Sequence, residues 1–483
     1  MRWNPLQVSM ETVIAASPLL GHELEDRRPI GAAQEEHIAE RFALASTIPL
    51  AGPQQRDLFC VAPLDLLVSE QAGRKQFHLL ELNGTGIGGL TNLTDRAVSE
   101  VLQSLAESCT AFDDPDGVVL LAVSGKESES SPRLNRLMHE KLLFVEAMRQ
   151  GLSRRFGGCE ATNLALLREG KGRRGMPAVA LGYIKDFLND LTVEYDGSAW
   201  LHGRRVIGAV NDRFCRNMLQ RFDERVDLEE LRTLNRCFSA GSDKGVAYSL
   251  MNEFVQARPQ PGLPSEILNA HADSRLSLVQ TVLDWMARGR QVVIKPHGTG
   301  LGHGIEFFLD PQESYEQVVA RIDRSLCLTE EYYGISGGAL PYTVCEYVDA
   351  CRVAAKDHPL EGHKYELRVV VYRHGMTLRA FPSIAKVARE RDDLGGRVRR
   401  ALINNITASG DTSKVSGVDY MLPLCNQRSL GLLGLSIEDV ESLCAAATGY
   451  VRYVLDQVDT RPERFGLPAH RQEVGTVAVP AAA

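Results

Sequence analysis

The stretch Arg290 to Phe308, RQVVIKPHGTGLGHGIEFF in one-letter code, constrains the chain more than any other. A β-branched run (Val292, Val293, Ile294) ends in Lys295 and Pro296. Glycines follow at Gly298, Gly300, Gly302 and Gly304, and Ile305 to Phe308 reads as a returning strand. A hairpin of this kind is a candidate phosphate lid. Glycine lets backbone N–H groups approach anionic oxygens without a Cβ in the way, and the lysine at the mouth supplies a compact charge for a triphosphate. A Walker-type loop is excluded, because Gly-Lys-Ser/Thr is missing and no helix is expected to follow. Taken alone, an ordinary glycine-rich turn would read the same way.

A second stretch, DLFCVAPLDLLVSEQAGRKQFHLLELNGTGIGGL, gives that hairpin a counterpart. Asp57 to Val68 and Gln76 to Leu82 read as strands across a polar turn at Glu70 to Lys75. Strand alternation puts Glu81 and Asn83 on one face, about 7 Å apart. Two hard oxygen ligands at that spacing, opening into a glycine-rich turn, suit a Mg2+ that also binds phosphate oxygens. Asp65 on the preceding strand is a third ligand or an outer group behind the ligands. The plainer alternative is a strand end with a polar cap.

Length and composition bound the rest. At 483 residues two or three packed domains are expected, and 44% apolar with 24% charged residues is ordinary for a soluble globular chain. A net charge of −8 argues against a nucleic-acid partner. With no apolar run of about 18 residues, no membrane span is expected, and the opening MRWNPLQVSMETV does not read as a signal peptide. Ten cysteines are scattered and never form CxxC, the pattern of reduced, mostly buried thiols in a cytoplasmic protein.

The remaining chain reads as alternating elements. Helical spacing recurs in EEHIAERFALA and over 91–112, Gly117 to Val123 is a buried strand, Arg133 to Leu152 a long helix, and Thr162 to Leu167 a strand. That succession is Rossmann-like, although Ser124-Gly125-Lys126 lacks the dinucleotide spacing. His139 and Lys141 on the long helix read as solvated face. A run of short strands then delivers Asp212 and Arg213, and Arg213 is an anion clamp for substrate or half of a structural ion pair. In FSAGSDKGVAYSLMNEF, Ser242 reads as an N-cap and Lys244 stands in the first helical turn. A cation there opposes the helix dipole, which suggests a bound anion. Arg275 to Arg288 and Pro311 to Ser325 are helical, and Leu340 to Val348 is a strand whose single acid is Glu346. KYELRVVVYRHGMTLRAFPSIAKVA is a hairpin that puts Glu366, Arg368 and Val370 on one face. Arg368 is a candidate for charge developing on a transferring phosphoryl group, with Lys386 and Arg389 adding positive charge, unless this is an exposed strand face. A polar loop with Asn404, Asn405 and Lys414 follows, then a helix from Ile437 to about Val458 capped by Ser436, and a tail expected to be disordered.

Together these motifs resemble the ATP-grasp superfamily. The resemblance rests on Lys244 on a helix, VVIKP with its glycine lid, the hinge strand CEYV, ELRVVVY and the loop NNITASG, in the family's order. The acid-x-Asn strand usually comes last; here ELN stands at 81–83, ahead of everything else, as in circularly permuted members that include the permuted-type glutathione synthetases. DGSAWLHGRRVIGAVNDR and FPSIAKVA with INNITASGD are also similar to that group. Two departures stand out: the lid KPHGTGLGHG carries no acid, and the usual Arg before the Asn loop is replaced by Lys386. A third metal ligand would then come from Asp65, Glu346 or Glu366.

The resemblance implies an α/β (α+β) chain with an ATP-grasp fold, an N-terminal Rossmann-like region and the metal-binding strand permuted to the N-terminal half. The expected division is 1–237 as the substrate-binding region, 238–430 as the nucleotide-binding lobes and 431–483 as a C-terminal helix and tail. It further implies ATP and Mg2+ as cofactors. Lys244 and Lys295 would contact the ATP phosphates, and His297 to Gly304 would close over them. Glu346, Tyr347 and Val348 would line the adenine and ribose pocket, with Asn405 near the phosphates or ribose. Glu81 and Asn83 would hold the metal, Arg368 would stabilise an acyl phosphate with Lys386 beside it, and Arg213 and Asn404 would face substrate. The implied reaction is ATP-dependent carboxylate–amine ligation, with a small-molecule acid and amine, amino acid or peptide, as partners; the chain is compatible with a homodimer. Two other outcomes compete: ATP-grasp chemistry that ends on a thiol or as a phosphoryl transfer, and a non-catalytic ATP- or ADP-binding protein.

Overall fold

A computed structural model describes residues 30–52, 59–83, 90–123, 135–171, 174–210, 213–222, 225–227, 231–235, 244–258, 265–297, 302–333, 339–391 and 420–465. In chain order, α1 (Glu36–Ala45) leads to β1 (Ile48–Pro49), β2 (Val61–Gln71), β3 (Arg74–Leu82) and α2 (Asp95–Ser108). Next come β4 (Val118–Val123), α3 (Asn135–Phe156), β5 (Glu160–Asn163), α4 (Leu164–Arg168), β6 (Ala178–Tyr183), α5 (Ile184–Asp190), β7 (Leu191–Val193), β8 (Ala199–Leu201), β9 (Arg204–Val210), α6 (Arg213–Arg221) and β10 (Arg232–Leu234). A third stretch holds α7 (Lys244–Ala257), β11 (Asn269–Ala272), α8 (Arg275–Ala287), β12 (Val292–Pro296), β13 (Glu306–Phe308), α9 (Tyr315–Tyr333) and β14 (Tyr342–Glu346). The chain closes with β15 (Tyr365–His374), β16 (Thr377–Val387), β17 (Met421–Pro423), α10 (Gln427–Leu433) and α11 (Ile437–Thr460). The protein is thus a mixed α/β structure with several sheets.

Among the described residues the first sheet is antiparallel, in the order β1-β16-β15-β2-β3 with β17 on the far side of β16. It joins strands from both ends of the sequence. The β2–β3 turn falls on Ala72 and Gly73, both at positive φ (51° and 74°), as a tight two-residue hairpin requires. Helix α11 packs along β15 and β16 and begins with a full capping box between Ser436 and Asp439. Helix α7 lies against β3.

The second sheet has a parallel centre, β5-β6-β4-β9 with β10 beside β9, and a short antiparallel edge of β8 and β7. This is the arrangement the strand–helix–strand succession predicts. Two local expectations are corrected. Only Glu160–Asn163 is strand, because the Asn163 side chain accepts from the Leu166 N–H and caps a short helix where the apolar run suggested more strand. Lys141 is buried at 1% exposure, stacked 6.0 Å from the Phe144 ring centroid, on a helix face that packs inward.

The third sheet, β11-β14-β12-β13, is antiparallel and, with α8 and α9, makes a small lobe over residues 269–346. Its core, including Leu278, Val282, Val292, Ile294, Phe308, Ile322 and Val344, is separate from the main core of the molecule. No helix among the described residues is long and apolar enough to cross a membrane.

Candidate active site

The register of the first sheet assembles a charged row. Glu81 on β3 faces Asp65 on β2, Asp65 faces Arg368 on β15, and one step along the same face Glu366 faces Lys386 on β16. Directly opposed residues in an antiparallel ladder share a face, so these five side chains meet on one surface. Arg368 Nε and Nη2 donate to Asp65 Oδ1 and Oδ2 at 2.8 and 2.7 Å. Lys386 Nζ donates to Asp65 Oδ2 at 2.9 Å and forms a close ion pair with Glu366. Asn83 Nδ2 donates to Asp65 Oδ2 at 3.1 Å. Asp65, Arg368 and Lys386 are buried, so the reading of an exposed strand face falls.

The electrostatics separate the two carboxylates. Burial pushes the Asp65 carboxyl up, but Arg368 and then Lys386 outweigh it and hold the group well below the usual carboxylate range. Burial works against Arg368 and Lys386 as well, and both are nevertheless held above their ordinary values, Arg368 by Asp65 and Lys386 by Asp65 and Glu366. Glu366 moves the other way. Burial raises its carboxyl, Lys386 only partly opposes that, and the Asp65 and Glu81 charges add to the rise. Burying so many charges on central strands is expensive, and apolar side chains of similar volume would serve stability equally well. Such a cluster is a candidate functional site.

Beside the row, β3 bulges. Asp65 pairs with Glu81 and Leu66 with Leu79, which leaves Leu80 as the extra residue. At the bulge the Leu80 carbonyl accepts from the Tyr248 hydroxyl at 2.5 Å, and Tyr248 in turn accepts from Lys295 Nζ at 2.6 Å. Glu81 approaches the Lys244 ammonium at 3.8 Å. Lys244 and Tyr248 stand one turn apart on α7 and therefore point the same way. The two downstream lysines and the upstream acid thus converge. Burial would lower the Lys295 ammonium, and Tyr248 and Glu81 contribute to holding it up.

The glycine hairpin is anchored at both described ends. His297, buried, accepts from or donates to Thr343 Oγ1 through Nε2 at 2.7 Å, and its N–H reaches the Pro341 carbonyl. Gly302 and Gly304 both adopt left-handed φ (67° and 71°). A buried hydroxyl group of three, Ser325, Thr329 and Tyr342, holds the Gly304 carbonyl through Ser325 Oγ at 2.6 Å. Gly298 and Gly300 lie outside the described residues, as do Asn404 and Asn405; Arg213 opens α6, and its side chain is also outside them.

The hinge strand is placed at the edge between the lobe and the main core. Glu346 uses both its N–H and its carboxylate on Leu268, and Arg290 stands 3.7 Å away, so this acid serves the chain. Tyr347 and Val348 pack with Ile305 and Phe307 against the main core, and the Tyr347 and Phe307 rings meet edge-on at 6.2 Å. Lys364 donates to the Tyr347 hydroxyl at 2.6 Å and pairs with Asp349 at 2.8 Å. Lys364 and Tyr248 went unnoticed in the sequence. The four-residue spacing from Lys244 was the signal for Tyr248, whereas nothing local marks Lys364.

The donor set suits Mg2+ without a third acid. An ionised Asp65 accepts only, so the Asn83 amide must turn an N–H toward it and leave its carbonyl oxygen as a ligand. Asp65 itself is covered by Arg368, Lys386 and Asn83, which fits a supporting position behind the ligands and not direct ligation. Glu346 and Glu366 are likewise committed, and no group of three His, Cys, Asp or Glu among the described residues is placed to hold a metal. A carboxylate, an amide oxygen and phosphate or water oxygens are a common way to bind this ion.

No family model matches the chain, and no curated protein matches its sequence. Among solved structures, one described as "Putative gamma-glutamylcysteine synthetase" from Methylobacillus flagellatus KT shares 11% identity, covering 88% of this chain and 93% of that one, at a TM-score of 0.37. A glutathione synthetase-like effector from Globodera pallida, in its apo form, shares 10% identity, covering 74% and 80%, at a TM-score of 0.32. Likenesses this distant carry no argument, and function has to come from the side chains.

Proposed function

We propose that the protein is an ATP-dependent carboxylate–amine ligase of the permuted ATP-grasp type, acting on an amino acid or peptide substrate. One observation carries the reading: the acid Glu81, on a strand from the first hundred residues, lies within 3.8 Å of Lys244 and beside the Leu80 carbonyl that is bridged through Tyr248 to Lys295. A pure nucleotide binder has no need of a buried Arg368–Asp65–Lys386 row facing the same place.

In this reading Lys244 and Lys295 take the phosphate oxygens of ATP, and the hairpin from His297 to Gly304 covers them. Tyr347 and Val348 offer an apolar wall for the adenine, with Lys364 and Asp349 toward the ribose. Glu81 and the Asn83 carbonyl would hold Mg2+, which when bound supplies charge neutralisation across the phosphates. The substrate carboxylate oxygen attacks the γ-phosphorus and ADP leaves. The amine nitrogen then attacks the acyl carbon, the C–N bond forms, and phosphate departs with the electron pair of the broken C–O bond and takes up the one proton that the amine gives up. Arg368 and Lys386 face the charge that builds on the transferring group, and Asp65 keeps them aimed. Phosphoryl transfer needs such positioning and charge more than covalent help.

The test is the double variant Glu81→Gln with Asn83→Ala in the full chain, assayed for substrate-dependent ADP release and for amide product with a panel of amino acids. Loss of both by about a hundredfold or more is expected for removal of metal ligands. Undiminished ADP release would end the reading. Hydroxylamine trapping separates an acyl phosphate from a kinase-like transfer.

A further inference from the structure

We propose that Tyr248 is a positioning residue that couples the metal-binding strand to the phosphate-binding lysine. The proposal rests on the ligase reading only for the roles of Glu81, Asn83 and Lys295; the bridge itself is geometric. Lys295 belongs to β12 of the small lobe, Leu80 to the bulge of β3 in the main sheet, and Tyr248 to α7 between them. The phenol oxygen accepts from Lys295 at 2.6 Å and donates its one proton to Leu80 at 2.5 Å, so both of its neighbours are fixed by a single atom. The ammonium also lies 5.2 Å from the Tyr248 ring centroid. Tyr248 is 1% exposed and Lys295 7%, which leaves the ammonium little freedom to swing away.

The chemistry of the three groups sets the direction of the coupling. The Leu80 carbonyl, at the bulge, is the acceptor for the phenol, and Glu81 and Asn83 lie one and three residues further along the chain. Holding that carbonyl fixes the twist of the strand end and therefore the aim of both ligands. At the other end, an ammonium has three donors and can keep Tyr248 while turning the others to a phosphate. A side chain of many rotamers is thereby ordered before nucleotide arrives, which lowers the cost of binding. Burial holds the phenol above its ordinary value, so it remains a neutral donor to Leu80 throughout the working range.

The two ends respond differently to substitution. Tyr248→Phe keeps the ring and removes both hydrogen bonds, so it disturbs the lysine and the metal strand together. Lys295→Met removes the phosphate contact and leaves the Tyr248–Leu80 bond in place, so it disturbs nucleotide binding alone. The experiment measures, in the full chain, the dissociation constant of a non-hydrolysable ATP analogue in excess Mg2+ and the Mg2+ concentration for half-maximal analogue binding, with thermal melting on the same samples. Expected are a roughly tenfold weaker analogue affinity and a severalfold higher Mg2+ requirement for Tyr248→Phe. For Lys295→Met a larger loss of affinity with an unchanged Mg2+ requirement is expected, and the double variant should bind the analogue in excess Mg2+ no more weakly than Lys295→Met while keeping the raised Mg2+ requirement of Tyr248→Phe. If Tyr248→Phe does not fold, 3,5-difluorotyrosine at 248, which keeps the hydroxyl but makes it a poorer acceptor for Lys295, is expected to weaken the analogue two- to threefold. Wild-type affinity and Mg2+ requirement in Tyr248→Phe, or wild-type affinity in the fluorinated protein, would overturn the coupling while leaving the ligase reading intact. Wild-type affinity in Lys295→Met would instead remove the nucleotide role on which both depend.

Discussion

The six-stranded sheet and the small lobe at 269–346 meet at the candidate site, and they are held together in opposite ways. The lobe is built from one continuous stretch of chain around an apolar core of Leu278, Val282, Ile294 and Val344. The sheet draws β2 and β3 from one end of the sequence and β15, β16 and β17 from the other, and places a row of buried charges across them. One region spends its interior on stability. The other carries a desolvation cost that stability alone does not call for.

The largest expected effect follows from that contrast. Asp65→Ala removes the acceptor shared by Arg368, Lys386 and Asn83 and leaves two buried cations without it. A loss of about 3–5 kcal/mol is expected, the usual result of breaking a buried pair from one side. Denaturant unfolding in the absence of ligands measures it. A loss below about 1 kcal/mol would mean that solvent reaches the row, and the contrast with the lobe would disappear.

A smaller effect is expected inside the lobe. Leu278→Ala opens a cavity at a fully buried position and should cost about 2–4 kcal/mol. Because the lobe core is separate from the main one, hydrogen exchange should quicken across 269–346 while β2 and β15 keep their protection. Uniform quickening would show that the two regions open as one unit.

Smaller again is Gly304→Ala. The residue sits at φ 71°, and a Cβ there would run into Thr329 Oγ1 and the Pro296 ring, both fixed by the buried hydroxyl group and by β12. About 1–3 kcal/mol of local strain is expected. Its signature is weaker binding of an ATP analogue with an almost unchanged global transition.

The same contrast explains what could be read from the sequence. The lobe declares itself locally: the β-branched run, the glycines, the capped helix from Ser274 and the returning strand occur in order, and each neighbours the next in space. The placement of Glu81 and Asn83 beside one another was legible for the same reason, since alternation along one strand fixes their common face, and both lie against Asp65. The Asp65–Arg368 pairing was not, because it spans 303 residues and depends on a strand register that no local pattern encodes. Lys141 reads as solvated face and Lys364 draws no notice because a buried lysine and a surface lysine look alike until the surrounding helix or strand is placed. Asn163 misled in another way. Its side chain ends the strand by capping a helix, and an apolar run of Leu and Ala after it suits either element.

The smallest effect asks whether both carboxylates beside Lys386 matter equally. Asp65 and Glu366 each contact the same ammonium, yet their proton affinities move apart. The depressed Asp65 carboxyl contributes stability above its ordinary value of about 3.9, and that contribution is lost as the pH falls through the folded value. The raised Glu366 carboxyl has the reverse sign. Its contribution is present below its ordinary value of about 4.3 and is lost as the pH rises through the folded value. Ionisation of Glu366 is therefore tolerated more than needed, and Glu366→Gln should change stability by no more than about 1 kcal/mol while Lys386 stays on Asp65. Relative to wild type, the Gln variant should improve in denaturant unfolding as the pH rises above the ordinary carboxyl value of about 4.3. A Gln variant that loses as much at pH 7 as Asp65→Ala would make the two acids equal partners of Lys386, and the row would then hold one shared charge balance instead of one anchor and one tolerated neighbour.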